Sequence, residues 1–521
     1  DLHATVPFVV IGIRAVDFER DARIAAVTGH RTVEREANAA PLHAQESGLS
    51  VVARLEDDAE AETIDVEAPG DREVVTGWGR NPSSVSHVVR PTSPDELAMA
   101  VKAAGARGAI ARGLGGAYND AAMNAGGLVV TSTGVSGLIE LDHTAGTARV
   151  LAGTSIDALL REIVPQGWFV PVTPGTRFIT VGGAIAADVH GKDHHATGSF
   201  GAHVRSLVLA LPDGTRRTLT PAGDPDEFWA TCGGMGLTGT VIEATIDLHP
   251  IETSLLRVDS DRVPDLDTLL TLLSEGGRKH RYSVAWVDFL ARGASLGRAV
   301  LTQGDFATVD ELAPRRRRRD PLAYDPMSAL PAPSTMPNGV LNRLSIRAFN
   351  EFWYRKAPRK RRGELQSIAK FFYPLDIIDG WNRMYGPRGF LQWQCLVPFG
   401  AEAVIREIVE ALSDHQAPSF LAVLKYFGEA DPGPLSFPGP GWTLALDVPT
   451  TDPDLAPLLD RLDERVVEVG GRLYLAKESR MRPELVPAMY PRLDEWRAVR
   501  DRLDPDRRMI SDLARRLRLL G

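Results

Sequence analysis

The sequence predicts an α+β protein of more than one domain, and three observations carry that reading. At 521 residues the chain exceeds what a single hydrophobic core supports. Between residues 75 and 252, short strands and capped helices alternate around glycine-rich turns. From about residue 253 the texture changes to period-two strands, as in an antiparallel sheet. Hydrophobic content of 44% and charged content of 24% belong to a globular protein. The net charge of −9 lacks the basic character that nucleic acid requires, so no nucleic-acid partner is expected. Cys232 and Cys395 are too few for a disulfide framework or a cysteine-based zinc site, and no metal is expected.

Residues 1–70 mix acidic runs (Glu56, Asp57, Asp58, Glu60) with alanine-rich stretches and keep no period. A poorly ordered extension is expected there, with a small appended subdomain as the alternative. The apolar stretch at 6–13 is too short to cross a membrane and lacks a basic flank and a cleavage signature. Thr92, Ser93 and Pro94 then cap a helix whose apolar face is Leu97, Val101 and Ala104. Residues 108–112 read as a strand entering the turn Gly113, Leu114, Gly115, Gly116, Ala117, Tyr118, Asn119 and Asp120. Such a turn offers successive backbone N–H groups to a pyrophosphate, with Arg112 adding charge. Glycine turns are also plain connections, so this one decides nothing alone.

Strands follow at 128–131 and 148–152, and a capping-box pattern at 154–157 opens a helix that Pro165 stops. Residues 172–201 then hold six glycines and three histidines in thirty positions. Within them, 181–187 carries so little bulk that a helical turn pressed on a flat partner is expected. His190, Lys192, His194 and His195 follow as a polar cluster, and the whole stretch reads as a wall moulded around a large cofactor. Residues 207–219 form a hairpin on Asp213-Gly214. Gly234, Gly236 and Gly239 match a dinucleotide fingerprint by letter, but they precede a strand at 240–248 instead of opening a helix, which rejects it.

In the second half, a strand at 281–289 contains Trp286, and one at 389–397 places Gln392 and Gln394 on one face. Further strands at 421–427 and 441–448 carry Lys425 and Ala445, and another ends at 470–477. Alternating polar residues of this kind make either a pocket floor or a solvated sheet face, and the pattern leaves both open. Two basic runs, 315–319 and 355–362, read as solvated loops or as a patch for an anionic lipid surface or a phosphate-bearing substrate. The tail 496–520 reads as an Arg-rich helix restarting at Asp504-Pro505.

Jointly, residues 111–120, 174–177, 180–186, 189–195, 470–477 and 511–517 resemble the flavin oxidoreductases of the vanillyl-alcohol oxidase type. Within that family they are similar to the actinobacterial branch that oxidises decaprenylphosphoryl-β-D-ribose at C2. The resemblance covers about residues 75–520. It implies a two-segment FAD-binding domain (75–252 and 472–521) with a substrate-binding domain (253–471) inserted between the segments. Residues 112–119 would cradle the FAD pyrophosphate. Gly175, Thr180, Val181, Gly182 and Gly183 would line the flavin, with His190, Ile242 and Tyr474 completing its site. Covalent attachment in the family uses a histidine in or near the pyrophosphate loop; residues 111–120 contain none, so non-covalent FAD is implied.

The implied reaction removes hydride from the ribose C2 hydroxyl to give a ketone. An NAD-dependent short-chain reductase would then complete epimerisation to the arabinose donor for cell-wall arabinan. Tyr118, Trp286, Gln392, Gln394, Lys425, Ala445 and Lys477 would contact substrate, with Lys477 gripping the reacting hydroxyl and His190 supporting it. The lipid-linked substrate implies a peripheral place at the plasma membrane in the cell envelope. Two departures stand out. Gly116 and Ala117 occupy positions where relatives carry Arg and Ser, which implies altered cofactor affinity. Ala445 stands where many mycobacterial relatives have the cysteine that nitroaromatic inhibitors capture. A soluble sugar-alcohol or aldonolactone oxidase of the same fold, or a non-catalytic flavoprotein scaffold, are the alternative readings.

Overall fold

The computed structural model describes residues 69–521 apart from 278, 315–319, 327–329 and 333–335. The expected extension at 1–70, save its last two residues, and the basic run 315–319 lie outside the described residues. Those that are described belong to one compact unit, 65–521.

Two small sheets come first in the chain. β1 (Asp71–Thr76), β2 (Ser83–Val89), β3 (Ala109–Arg112) and β4 (Leu128–Thr131) form a 4-stranded sheet in the order β1-β2-β4-β3, where β2 and β3 flank β4 in parallel. The helix α1 (Pro94–Lys102) links β2 to β3; Ser93 accepts the N–H of Glu96 at its start, and Leu97, Ala98 and Val101 are buried. This is the capped, one-sided helix that the sequence predicts. β5 (Leu138–Asp142), β6 (Thr147–Leu151), β8 (Val204–Ala210), β9 (Arg216–Leu219) and β10 (Thr240–Asp247) form the second sheet, in the order β5-β6-β10-β8-β9. A short β7 (Trp168–Phe169) pairs with β11 (His249–Pro250).

The helix α2 (Ile156–Ile163) is capped by Ser155, whose Oγ accepts the N–H of Ala158, rather than by Thr154, whose hydroxyl is held by Gly137. α3 (Val181–Ala186) is capped by Thr180. Its glycine lets it lie on the neighbouring strand: a Cβ on Gly182 would sit 3.0 Å from Ala152 Cβ. The flat partner expected for 181–187 is therefore the end of β6 and its neighbour β10.

Residues 255–473 build an 8-stranded sheet. Its strands are β12 (Leu255–Val263), β13 (Tyr282–Val287), β14 (Ala299–Phe306), β16 (Lys360–Ser367), β18 (Phe390–Pro398), β19 (Ala422–Phe427), β20 (Gly441–Pro449) and β21 (Arg472–Leu473). They run in the order β16-β12-β14-β13-β19-β20-β18-β21. The remaining short strands, β15 (Leu330–Pro331) and β17 (Ile378–Asp379), pair in parallel apart from it. Register decides what each face carries, because opposed residues point the same way. Gln392 faces Asp447, Gln394 faces Ala445, Ala445 faces Val423, Val423 faces Trp286, and Lys425 faces Thr443. The opposite face holds Trp393, Cys395, Leu444, Leu446 and Leu424, covered by the helices Glu402–His415 and Leu455–Glu468.

Two expectations need correcting. The basic run 355–362 is not loop: it ends the helix Arg343–Lys356 and starts β16, where Arg362 pairs with Asp261 at 2.8 Å. The tail helix starts earlier and restarts later, as Leu493–Leu503 and Asp512–Arg516. Asp504 holds the gap between them open, accepting from Arg500, Arg508 N and Met509 N. Through that gap Met509 bridges Ala109 at the edge of β3, so the chain's end returns to its first sheet.

Candidate active site

The turn after β3 supplies the first wall. Gly115 has φ +71 and Gly113 lies so close to Thr180 that a Cβ would sit 2.3 Å from its Oγ1. Any larger residue at either position would clash or strain the turn. The backbone N–H groups of Leu114, Gly115, Gly116 and Ala117 donate to no acceptor among the described residues. Four successive unpaired amides are donors of the kind that a pyrophosphate pairs. Leu114 contributes backbone only, its side chain being exposed.

Side chains expected at this wall behave differently. Arg112 does not present its charge to the turn's mouth: its guanidinium donates to Thr76 O at 2.8 Å and Ala122 O at 3.2 Å. It tethers the turn instead. Asn119 is buried and equally committed, donating through Nδ2 to the carbonyls of Leu475 and Glu478 and accepting the N–H of Ala121. That staple, with Tyr118 N donating to Ala476 O, locks the turn to the segment carrying Lys477. Ile242 offers no side chain to this wall. It is 2% exposed at a bulge of β10 and packs with Leu97, Val101 and Met509, so its side chain belongs to the core.

The second wall is residues 172–201. Gly175 is exposed with nothing within 4 Å of its Cβ position, so that side of the slot is open. Val181 is fully buried, and the N–H groups of Val181, Gly182 and Gly183 are taken by Thr154 O, Ala152 O and Thr180 Oγ1. This segment therefore lines the slot with bare backbone and offers few free donors. Of the polar cluster that follows, only His190 turns inward. Lys192 donates to the carbonyls of Phe371 and Phe372, His194 Nδ1 accepts the N–H of Gly428, and His195 Nε2 meets His280 O.

The floor is the polar face of the large sheet, buried rather than solvated. Gln394 Nε2 donates to His190 Nε2 at 3.0 Å and to Thr443 Oγ1 at 3.0 Å. That leaves the imidazole hydrogen on Nδ1, a buried donor with no partner among the described residues. The His190 ring lies 5.2 Å from Tyr474 and 4.8 Å from Phe427, while Tyr474 stacks on Phe437 and donates its hydroxyl to Ala187 O. Burial, with Lys425, His194 and Lys477 nearby, holds His190 well below the ordinary histidine value, so it is neutral.

Lys477 completes the arrangement. Its Nζ lies 3.7 Å from the centroid of the Tyr118 ring and donates to no acceptor among the described residues. Burial pushes its ammonium far down, Asp447 resists, and Lys425 assists. Lys425, also without a hydrogen-bond acceptor among the described residues, is pushed down to about 8 by burial. Asp447 accepts from Gln392 Nε2 through Oδ1, while its buried Oδ2 has no partner among the described residues. Burial raises its carboxyl above the usual range. Trp286 sits at the far end of the same face, its indole N–H donating to Phe420 O at 2.9 Å. Its ring can still pack against a ligand, but it has no donor to offer.

Asp447, Thr443 and Tyr385 were not singled out from sequence. The first two follow from the alternation that singled out Gln392 and Gln394, applied to the facing strand. Tyr385, whose hydroxyl is buried and unpartnered, stacks on Phe390 from the end of a short 3-10 helix, Trp381–Tyr385, that carries no sequence signal. Among the described residues no group of three His, Cys, Asp or Glu side chains is arranged to hold a metal, and no helix is long and apolar enough to cross a membrane.

The turn with its four unpaired amides is thus stapled to the segment that carries Lys477, beside the unpaired Lys425 amine and the His190 imidazole, and such amides suit a dinucleotide pyrophosphate. Comparison with known proteins agrees. Residues 85–220 match the FAD binding domain family, and residues 450–517 match the D-arabinono-1,4-lactone oxidase family. The decaprenylphosphoryl-β-D-ribose oxidase of Mycolicibacterium smegmatis is 43% identical over 459 residues, 87% of this chain and 99% of that protein.

The chain belongs to the decaprenylphosphoryl-β-D-ribose oxidase family. It is therefore an FAD-dependent oxidoreductase with an α+β fold of the vanillyl-alcohol oxidase type. More distant similarity reaches the alditol oxidase of a Streptomyces species, 30% identical over 34% of this chain and 42% of that protein. An L-gulono-1,4-lactone dehydrogenase of Mycobacterium tuberculosis is 23% identical over 85% of this chain and 98% of that protein.

Proposed function

We propose that the chain oxidises the C2 hydroxyl of decaprenylphosphoryl-β-D-ribose to the 2-keto sugar. Bound FAD, held non-covalently against residues 113–117 and α3, would supply the hydride acceptor. The chain's own task is to position the alcohol and to take its proton as the C–H bond breaks. Lys477 is suited to that step because burial keeps part of its amine unprotonated at neutral pH, and no protein acceptor competes for it. His190, neutral and oriented by Gln394, keeps an uncommitted Nδ1–H that would stabilise negative charge developing on the oxygen. Lys425, mostly ammonium at neutral pH, adds a cation on the floor.

The convergence of Lys477, Lys425 and His190, with donors and lone pairs that the protein leaves uncommitted, is the observation that carries this reading. Tyr118, Trp381, Tyr385, Phe390 and Phe420 form one buried aromatic cluster that runs from beneath Lys477 towards the helix Arg343–Lys356. The product ketone is then passed to an NAD-dependent short-chain reductase that completes epimerisation to the arabinose donor for cell-wall arabinan, at the plasma-membrane face of the cell envelope.

Anaerobic titration of the yellow enzyme tests this. A short-chain prenyl-phosphoryl ribose should bleach the flavin at a rate at least a hundred-fold above ribitol or an aldonolactone. Faster reduction by a free polyol or lactone would instead identify a soluble sugar-alcohol or aldonolactone oxidase.

A further inference from the structure

The helix Arg343–Lys356 carries three stripes with different tasks. Ile346 and Asn350 face inward and are buried; Asn350 donates to Asp288 at 2.7 Å. Arg347, Glu351 and Arg355 form a second stripe at four-residue spacing, and Leu344, Ala348 and Phe352 form a third beside it. The third stripe faces outward: Leu344 is 78% exposed and Phe352 58%. Exposed apolar side chains at helical spacing beside guanidinium groups suit a helix that lies in a lipid interface.

Beside the charged stripe lies a hollow of about 430 Å³ lined by Arg292, Arg298, Arg347, Arg355, Asp288 and Glu351 among others. Its two carboxylates are already engaged. Arg298 holds Asp288 at 2.7 Å and Glu351 at 2.6 Å, and Arg355 also pairs with Glu351. Arg292 donates to the carbonyls of Ser413 and Asp414, and Arg347 to Gln416, so neither meets a carboxylate among the described residues. The hollow therefore keeps a surplus of positive charge on a chain whose net charge is −9. That local sign complements an anionic lipid phosphate.

We propose that this helix docks on an anionic phospholipid bilayer, with Leu344 and Phe352 entering the headgroup region and Arg292 and Arg347 receiving a lipid phosphate. The proposal deepens the oxidation reading and rests on it for its purpose. Ile346 and Phe349 of the same helix pack on the buried aromatic cluster that includes Tyr118, so docking holds the substrate site close to the bilayer.

Co-sedimentation of the full flavin-loaded chain with vesicles tests it. Vesicles of phosphatidylcholine with about one-third phosphatidylglycerol should bind the protein, and pure phosphatidylcholine should bind it at least ten-fold less. Leu344→Asp with Phe352→Asp should abolish binding, and Arg347→Ala should weaken it about five-fold. Both variants should keep flavin reduction by a water-soluble short-chain substrate. Equal binding to neutral vesicles, absence of wild-type binding, or variants that bind like wild type would each overturn the proposal. So would complete loss of vesicle binding with millimolar inorganic phosphate at constant ionic strength, since the hollow would then be a soluble-phosphate site. Vesicle binding involves no sugar substrate, so failure of the oxidation reading shows in the flavin spectrum and leaves this readout untouched.

Discussion

Replacing Asp447 with asparagine removes a carboxylate that faces Lys477 while keeping the side chain's shape. Asp447 is fully buried on β20, and Gln392 can donate to an amide oxygen as it does to the carboxylate. The negative charge stabilises the Lys477 ammonium against burial. Without it the lysine loses its proton more readily, so the active, neutral amine forms at lower pH. Two charges near enough to shift one another, at an effective dielectric of about 20, interact by roughly 1.5–3 kcal/mol. A unit of pKa is about 1.4 kcal/mol, which bounds the shift at about one to two units. Burial also raises Asp447 itself, so it is charged for only part of the range, and about one unit is expected. The assay is stopped-flow flavin reduction across pH under saturating substrate. The rate should rise with pH in both proteins, with the rising limb about one unit lower in Asp447→Asn and a similar plateau. A limb that stays put or moves upward would refute the assignment of Lys477 as the proton acceptor controlled by this carboxylate.

Three further outcomes follow from the same geometry. Gly115→Ala forces a side chain onto φ +71 and against the Arg112 guanidinium, which is pinned to two carbonyls; strain of about 1 kcal/mol or more should raise the FAD dissociation constant at least five-fold in apoprotein reconstitution. Ala445 provides no thiol on the floor, so nitroaromatic inhibitors should leave the intact mass of the wild-type protein unchanged, while Ala445→Cys should gain an adduct mass; an adduct on the wild-type protein would overturn this. Lys192 is pushed down to about 7 by burial against an ordinary value of 10.5. The folded state then binds fewer protons than the unfolded one between those values, so this group makes unfolding free energy rise with pH across that window. Lys192→Met should lose that slope, seen as a smaller gain in denaturation midpoint between neutral pH and about pH 10 than in wild type.

How far the site was legible depends on where its information resides. Backbone-driven features carry their own signature: Gly113, Gly115 and Gly116 announce a tight turn, and the low bulk of 181–187 announces a closely packed helical turn, because few residue types permit such conformations and approaches. Strand alternation placed Gln392, Gln394 and Lys425 on faces, but only register shows that those faces meet Asp447 and Thr443. Arg112 and Asn119 misled for a different reason. A cation and an amide beside a phosphate-binding turn look like ligand donors, yet their long-range partners, Thr76 and Glu478, are invisible in the local sequence. Ile242 illustrates the same limit, since a bulge in β10 turns a strand residue into core. The tail's break at Asp504 also escaped prediction, because its capping by Arg500 and Met509 competes with helix propensity only once the chain has folded back.

The most direct test of the account is Lys477→Met in protein that retains bound flavin. If the amine over the Tyr118 ring removes the hydroxyl proton, the variant's yellow spectrum should be intact and its anaerobic reduction by prenyl-phosphoryl ribose slowed at least a thousand-fold. Reduction within ten-fold of wild type would mean that the proton leaves by another route and that the chemistry assigned to this slot is wrong.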